Sequence, residues 1–344
     1  MNLLVTGGAG FIGSNFILYM LEKYKDFKII NIDKLTYAGD LKNLNEAIND
    51  PRHIFIKGDI CNPLLVESIF KEYEIGGIVH FAAESHVDNS INNPKVFIET
   101  NVLGTFTLLE AARTYWMNGV NAYKDSYKNA RFHHISTDEV YGTLGMEGFF
   151  TENTAYAPNS PYSASKASSD MLVRSYYHTY GMNVVTTNCS NNFGPRQHHE
   201  KLIPTIIRKA ISLDEIPIYG NGQNVRDWLY VEEHCRAIEK VFHSGEAGET
   251  YLIGGHNEMT NLEMAELICT RLDRLMPITR KTSGITSYRE LITFVNDRPG
   301  HDFRYAIDDT KLRKQLEFQH ERVFLQCIEK TILYYIELES GVYL

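Results

Sequence analysis

The run Thr6-Gly-Gly-Ala-Gly-Phe-Ile-Gly13 leaves few folds open to this chain. It follows a short apolar strand, Leu3–Thr6, and opens an apolar-periodic segment that reads as a helix, Phe11–Lys23. Glycine at 7, 10 and 13 serves three separate needs. Gly7 permits a tight turn, Gly10 lets a backbone approach a diphosphate closely, and Gly13 lets the helix lie against the strand. The helix N-terminus then offers free amide donors and the positive end of its dipole to an anion. The plain alternative is a glycine-rich turn that binds nothing, and the strand and helix on either side argue against it.

The next segments of the chain keep the same rhythm. Lys28–Asp33, Ile54–Gly58, Gly77–Phe81, Arg131–Ser136 and Asn183–Asn188 read as strands. Pro94–Tyr115 and Ser163–Tyr180 read as long helices. Strands alternating with helices imply an α/β protein of the Rossmann type, a doubly wound parallel sheet with helices on both faces. The polar stretch 118–130 interrupts the alternation and is expected to be a surface insertion. After Pro195 the pattern becomes irregular. The expected division is a dinucleotide-binding domain over residues 1–190, with a later segment of about 223–253 returning to it. Residues 191–344 then form mostly a smaller α/β substrate-binding lobe.

A length of 344 residues suits one large domain with such a lobe. The net charge of −9 argues against nucleic acid as a partner, because a phosphate backbone attracts basic surfaces. Five dispersed cysteines without a CxxC pair read as free thiols of a reducing compartment. The N-terminal residues lack a signal-peptide pattern, and no apolar run approaches membrane-spanning length. The expectation is a cytoplasmic protein that neither enters membranes nor binds nucleic acid.

Particular residues carry the chemistry. Asp33 ends the second strand about twenty residues beyond Gly13, where a carboxylate accepts hydrogen bonds from an adenosine ribose and repels the extra phosphate of NADP. This makes NAD the expected cofactor. Lys34 beside it pulls the other way, and turn capping is the bland role for Asp33. Asp59 and Ile60, expected at the end of the third strand, are placed to meet an adenine. Tyr162 and Lys166 stand at i and i+4 of a helix that starts after Pro161, hence on one face. An ammonium near a phenol favours the phenolate, which otherwise forms only near pH 10, so the pair reads as a base for a hydroxyl proton. Thr137, Asp138 and Glu139 follow the fifth strand, at the carboxyl edge where such sheets bind ligands. Two carboxyls there suggest a further acid and base, provided the backbone turns so that both face one cleft. Helix capping is the alternative. The pairs His133-His134 and His198-His199 lack a completing ligand cluster, and no metal is expected.

Taken together, the segments TGGAGFIGSNF, DKLTYAGDLKNL, FAAESHVDNSI, ISTDEVYG, SPYSASKASSD, NCSNNFGPRQ, EKLIP, YGNGQNVRDWLYVEEH and DRPGHDFRYAID make the chain resemble the dTDP-glucose 4,6-dehydratases, sugar-nucleotide enzymes of the extended short-chain dehydrogenase/reductase type. The likeness runs over essentially the whole length, and STDEVYG sets it apart from related epimerases. It implies a lyase that converts dTDP-glucose to dTDP-4-keto-6-deoxyglucose and water, toward dTDP-rhamnose or other deoxysugars. Carbon 4 is oxidised, water is eliminated across carbons 5 and 6, and carbon 6 is reduced, with NAD regenerated. Tyr162 would take the 4-hydroxyl proton, Glu139 the proton on carbon 5, and Asp138 would protonate the leaving 6-hydroxyl, while Thr137 holds the sugar.

The resemblance also assigns contacts. NAD would meet Gly7, Gly10, Phe11, Ile12, Gly13, Asp33, Lys34, Leu35, Thr36, Asp59, Ile60, Phe81, Ala82, Ala83, Ser85, Thr100, Tyr162, Lys166 and Asn192. The nucleotide sugar would meet Ser85, Thr137, Asn191, Lys201, Leu202, Pro217, Ile218, Tyr219, Arg226, Asn261, Asp297, Arg298, Pro299, Gly300 and His301. Lys201 and Arg226 suit a diphosphate. A homodimer through the helices beginning near Pro94 and Tyr162 is also implied. The chain departs from the pattern at Asn89, where arginine is usual, at Arg196, His198 and His199, and between Met276 and Arg289. Three other readings stay open: a 4,6-dehydratase of a UDP-, GDP- or CDP-sugar, a 4-epimerase of such a sugar, or a non-catalytic NAD sensor.

Overall fold

The computed structural model describes residues 1–278 and 284–340. Seven parallel strands form its main sheet, in the order Thr250–Ile253, Val184–Cys189, Arg131–Thr137, Gly77–His80, Asn2–Thr6, Lys28–Asp33, His53–Lys57. Starting from Asn2–Thr6, the chain winds outward first to one side and then, from Gly77–His80 on, to the other. That reversal leaves a crevice beyond the carboxyl ends of the two central strands.

Side-chain alternation in the strands explains the two-sided packing. Leu3 and Val5 face one way, into a core with Phe16, Ile17 and Met20 of helix Phe11–Lys23 and Ile238 and Val241 of helix Val231–Ser244. Leu4 faces the other way. It joins Val66 and Phe70 of helix Pro63–Tyr73, Leu108 and Leu109 of helix Gly104–Trp116, and Val173 of helix Pro161–Tyr180. Strands covered on both faces read as continuous apolar runs, which makes them legible in the sequence.

The expected helix Pro94–Tyr115 is helical from Pro94 to Trp116 but not uniform. Ile98–Leu103 is a π-helical turn between two α-helical stretches. Asn101 sits inside that wide turn and is buried. Its side chain bonds the backbone N–H and C=O of Glu84 at 2.8 and 3.0 Å and the Ser165 hydroxyl at 2.8 Å. π-turns gather at functional sites, and this one carries Thr100 to the crevice.

The stretch 118–130 is a small appendage rather than a free loop. Met117–Gly119 pairs with Ala122–Tyr123, and the Tyr123 hydroxyl accepts the Asn183 amide at 2.7 Å. Beyond residue 190, Asn191–Phe193, Val225–Tyr230 and Glu258–Thr260 make a three-stranded sheet, and Ile216–Tyr219 pairs with Ile292–Val295. Of the segment 223–253, Thr250–Ile253 joins the edge of the main sheet and Val231–Ser244 packs against helix Phe11–Lys23, while Val225–Tyr230 pairs outside that sheet. Helices Leu202–Ser212, Asn261–Leu275 and Phe324–Ser340 pack together as the body of the lobe. The divergent stretch from Met276 to Arg289 lies partly outside the described residues. Among the described residues no helix is long and apolar enough to cross a membrane. All five cysteines are free thiols.

Candidate active site

One pocket of about 300 Å³ runs along the crevice, from the glycine loop to the helix that carries Tyr162. Gly7 adopts φ +70°, and a Cβ there would stand 2.7 Å from the Ala82 backbone. A Cβ on Gly13 would stand 2.3 Å from the Gly7 carbonyl oxygen, so helix and strand meet only because it is glycine. Gly10 is the N-cap of the helix. It has no side chain to satisfy the first amides, and the first turn holds no acidic residue, so those donors stay free for an anion.

Asp33 points into the same pocket. Its Oδ2 accepts the Ala9 amide at 3.0 Å and its Oδ1 the Leu35 amide at 2.8 Å. It therefore does shape the turn, and each oxygen keeps a lone pair for a ligand hydroxyl. Burial pushes its carboxyl up, against the pull of those two amides. The Lys34 ammonium is 2.7 Å from Asp59 Oδ2, which neutralises the base that favoured a phosphorylated ribose. Strand three ends at Lys57, so Asp59 reaches the pocket from the loop beyond it. The cradle, the uncapped helix end and the carboxylate together fit a dinucleotide.

The carboxyl pair faces one cleft because the backbone turns. Asp138–Tyr141 is a 3₁₀ turn, begun by Thr137, whose hydroxyl oxygen accepts the Glu139 amide at 3.3 Å. Asp138 is buried, and its Oδ2 has no hydrogen-bond partner among the described residues. Burial first, then the charges of Glu139 and Asp227, push its carboxyl well above the usual range. Glu139 is also pushed up by burial, but Arg298, Lys201 and Arg226 counter it. Both carboxyls are thus shifted toward the protonated form, Asp138 the further of the two, because cations beside Glu139 offset part of its burial.

Tyr162 and Lys166 both line this pocket from helix Pro161–Tyr180. Lys166 Nζ donates to the Ile135 carbonyl at 2.8 Å and lies 3.5 Å from His134 Nε2. Burial brings its ammonium down to about 8. Tyr162 is pushed well above 10 by burial, with Glu139 and Cys189 adding to the rise, so in the free pocket it is a neutral phenol. Behind Lys166, the His134 imidazole sits 3.1 Å from the buried Asp170, which also accepts from Ser136, Tyr156 and Asn188.

The comparisons with known proteins meet this geometry. A family model described as GDP-mannose 4,6 dehydratase matches residues 4–331. The dTDP-glucose 4,6-dehydratase of Escherichia coli is 50% identical over 346 residues, covering 98% of this chain and 94% of the relative. This chain belongs to the dTDP-glucose 4,6-dehydratase family. The crystal structure of that enzyme from Bacillus anthracis in complex with NAD superposes with a TM-score of 0.85 at 44% identity, covering 99% of this chain and 98% of the other. The Streptomyces venezuelae enzyme, with NAD bound, gives a TM-score of 0.88 at 41% identity, with coverage of 99% and 98%.

Within this dehydratase fold the assigned residues divide. Every assigned NAD contact lines the pocket except Leu35, whose φ of +56° turns its side chain onto the core beside it. Of the assigned sugar-nucleotide contacts, Ser85, Thr137, Asn191 and Lys201 line it. Lys201 donates to the Ser85 carbonyl at 3.2 Å, and Asn191 Oδ1 is buried without a partner among the described residues. Leu202 is half-buried against the core cluster, and Ile218 is buried within it. Pro217, Tyr219, Asn261, Asp297, Pro299, Gly300 and His301 lie outside the pocket lining. Tyr219 and Arg298 converge on Asp88, at 3.4 and 3.8 Å, and His301 sits 2.6 Å from Asp297. Arg226 is buried against Tyr305 and donates to the Asp302 carbonyl at 3.0 Å while its charge reaches Glu139.

Of the departures from the family pattern, His198 alone among the described residues lines the pocket, packed on His199 and edge-on to Tyr37. Arg196 turns away to Asn15 and Glu46, and Asn89 is exposed on a short helix. Sequence reasoning missed Gly39, Ser136, Cys189, Gln197 and Glu200, which also line the pocket. They come from loops and strand ends far apart in the chain, and no local pattern marks them.

Proposed function

We propose that this protein converts dTDP-glucose to dTDP-4-keto-6-deoxyglucose with loss of one water. The observation that carries the reading is the Asp138–Glu139 pair, the first buried with its carboxyl pushed well up and the second faced by three cations, in the same pocket as Tyr162 and Lys166. Tyr162 takes the proton of the 4-hydroxyl. Glu139 takes the proton on carbon 5, acidified by the new ketone. Asp138 gives its proton to the departing 6-hydroxyl, which leaves as water, and proton return to carbon 5 completes the 6-deoxy sugar. Thr137 holds the sugar hydroxyl. When bound, NAD supplies a two-electron store, filled from carbon 4 and emptied at carbon 6, together with positive charge that favours the Tyr162 phenolate. Gly7, Gly10 and Gly13 with Asp33 would hold it. Lys201, Arg226 and Arg298 suit the substrate diphosphate.

Residues 1–190, with the returning strand Thr250–Ile253, serve in this reading as the NAD-binding part, and the remainder as the nucleotide-sugar lobe. The working form is a homodimer. Ile98, Leu103 and Phe106 are exposed on the run 94–116 and Met171 on the helix packed beside it, an apolar patch that a second copy would cover. Five free thiols suit the cytoplasm. An epimerase needs no acid for a 6-hydroxyl, so the Asp138–Glu139 pair argues against it. The test is mass spectrometry after incubation with dTDP-glucose, UDP-glucose, CDP-glucose and GDP-mannose in parallel. Loss of water from dTDP-glucose alone is expected. Preference for another nucleotide would move the substrate, and an unchanged mass with all four, in protein shown to hold NAD, would overturn dehydration.

A further inference from the structure

Outside the lining of the crevice, three side chains of metal-ligand type gather beyond the edge strand Thr250–Ile253. His256 stands in the turn after edge strand Thr250–Ile253. Asp309 precedes helix Thr310–Gln315, and His320 lies in the segment after it. One ligand atom from each lies within 4.8 Å of the others. His256 Nε2 is 2.9 Å from Asp309 Oδ2, and His320 Nε2 is 3.8 Å from the same oxygen. Tetrahedral ligands held 2.0–2.1 Å from zinc stand roughly 3.4 Å apart, so small side-chain rotations complete such a set.

Three further features prepare these groups. His320 Nδ1 faces Glu233 Oε2 at 3.5 Å, the outer carboxylate that orients a ligating imidazole and fixes which nitrogen points inward. Its inner nitrogen, Nε2, is buried and has no hydrogen-bond partner among the described residues. Arg313 holds the other Asp309 oxygen, Oδ1, at 2.6 Å, which aims Oδ2 at the two imidazoles. The His256 turn is itself pinned. Asp227 accepts the Gly255 and Asn257 amides at 2.7 and 2.8 Å, leaving His256 between them at φ +55°, a conformation uncommon outside glycine. None of these residues lines the active-site pocket.

We propose that His256, Asp309 and His320 bind one divalent transition-metal ion of the zinc class, in a solvent-open site completed by water. Two imidazoles and one carboxylate favour zinc, cobalt or nickel over magnesium or calcium, which take oxygen ligands. His256 is about half exposed, so the ion enters from solvent and exchanges readily. Bound there, it clips the segment after Thr310–Gln315 to the turn beside Asp227.

The test uses the full, tag-free chain, stripped with chelator and desalted, then titrated with Co²⁺ and afterwards Zn²⁺. One equivalent of Co²⁺ is expected to give a visible d–d band that Zn²⁺ abolishes, and Zn²⁺ is expected to raise Tm. His256→Ala and His320→Ala should each weaken binding at least tenfold, and Glu233→Gln about tenfold. His178→Ala, on an exposed helix end, should change nothing. Absence of the band in the wild-type protein, or equal affinity in wild type and His256→Ala, would overturn the proposal. His256→Ala alone decides the matter if His320→Ala does not fold.

Discussion

At the residue scale, the site depends on what surrounds each acid more than on which acid it is. Asp138 and Glu139 are chain neighbours, yet burial and nearby charge push Asp138 well above its usual range while three cations restrain Glu139. Replacing Asp138 with asparagine keeps the shape and removes the proposed proton donor. Product formation from dTDP-glucose should fall about 10²- to 10⁴-fold, read by mass spectrometry. The pH profile has a definite sign. In the proposed reaction Glu139 works ionised, and its pKa in the free pocket is raised, so kcat/KM falls as pH drops through a value above the ordinary glutamate range. Arg298→Ala removes the largest of the restraining charges, so this acid limb should move to higher pH. An unmoved limb would show that Glu139 does not set it.

At the scale of elements, helix Pro161–Tyr180 presents Tyr162 and Lys166 through its first turns. Ser160 caps it. The Ser160 hydroxyl accepts the Ser163 amide at 3.0 Å, and the Ser163 hydroxyl accepts the Ser160 amide at 3.0 Å. Ser160→Ala should cost about 1 kcal/mol of stability, seen as a lower midpoint in chemical denaturation. It should also lower kcat more than KM, because the cap positions the first turn and not the nucleotide. The glycine loop makes a sharper prediction. Gly13→Ala drives a methyl group against the Gly7 carbonyl, forcing helix Phe11–Lys23 off its strand. Protein that still folds should purify with much less NAD, measured by absorbance after release. The π-turn at Ile98–Leu103 was not legible in the sequence, since the partners its Asn101 bonds, Glu84 and Ser165, are distant in the chain.

At the scale of the whole molecule, the exposed apolar residues of the run 94–116 and of Met171 call for a cover. Light scattering coupled to size exclusion should report two chains for the wild-type protein and one for the double variant Leu103→Glu/Phe106→Glu. A variant that remains a dimer would place the interface elsewhere. The lobe beyond residue 190 was the least legible part of the fold. Its strands are short and pair with partners far along the chain, as Val225 does with Thr260 and Trp228 with Asn191, so no single window contains the pattern.

The sequence by itself determined the glycine cradle, the parallel sheet, the Tyr162–Lys166 spacing and the family. These are short-range signals: a motif between a strand and a helix, apolar runs at regular intervals, two residues one helical turn apart. Tertiary structure alone decided that Asp138 and Glu139 share a cleft, that Lys34 is neutralised by Asp59, and that Lys166 rests on a backbone carbonyl. It also decided that Leu35 packs against the core and that Ile218 is buried in it. The physical reason is common to all of these. Which charge a side chain meets, and how much water it keeps, depends on segments that come together only when the chain is folded.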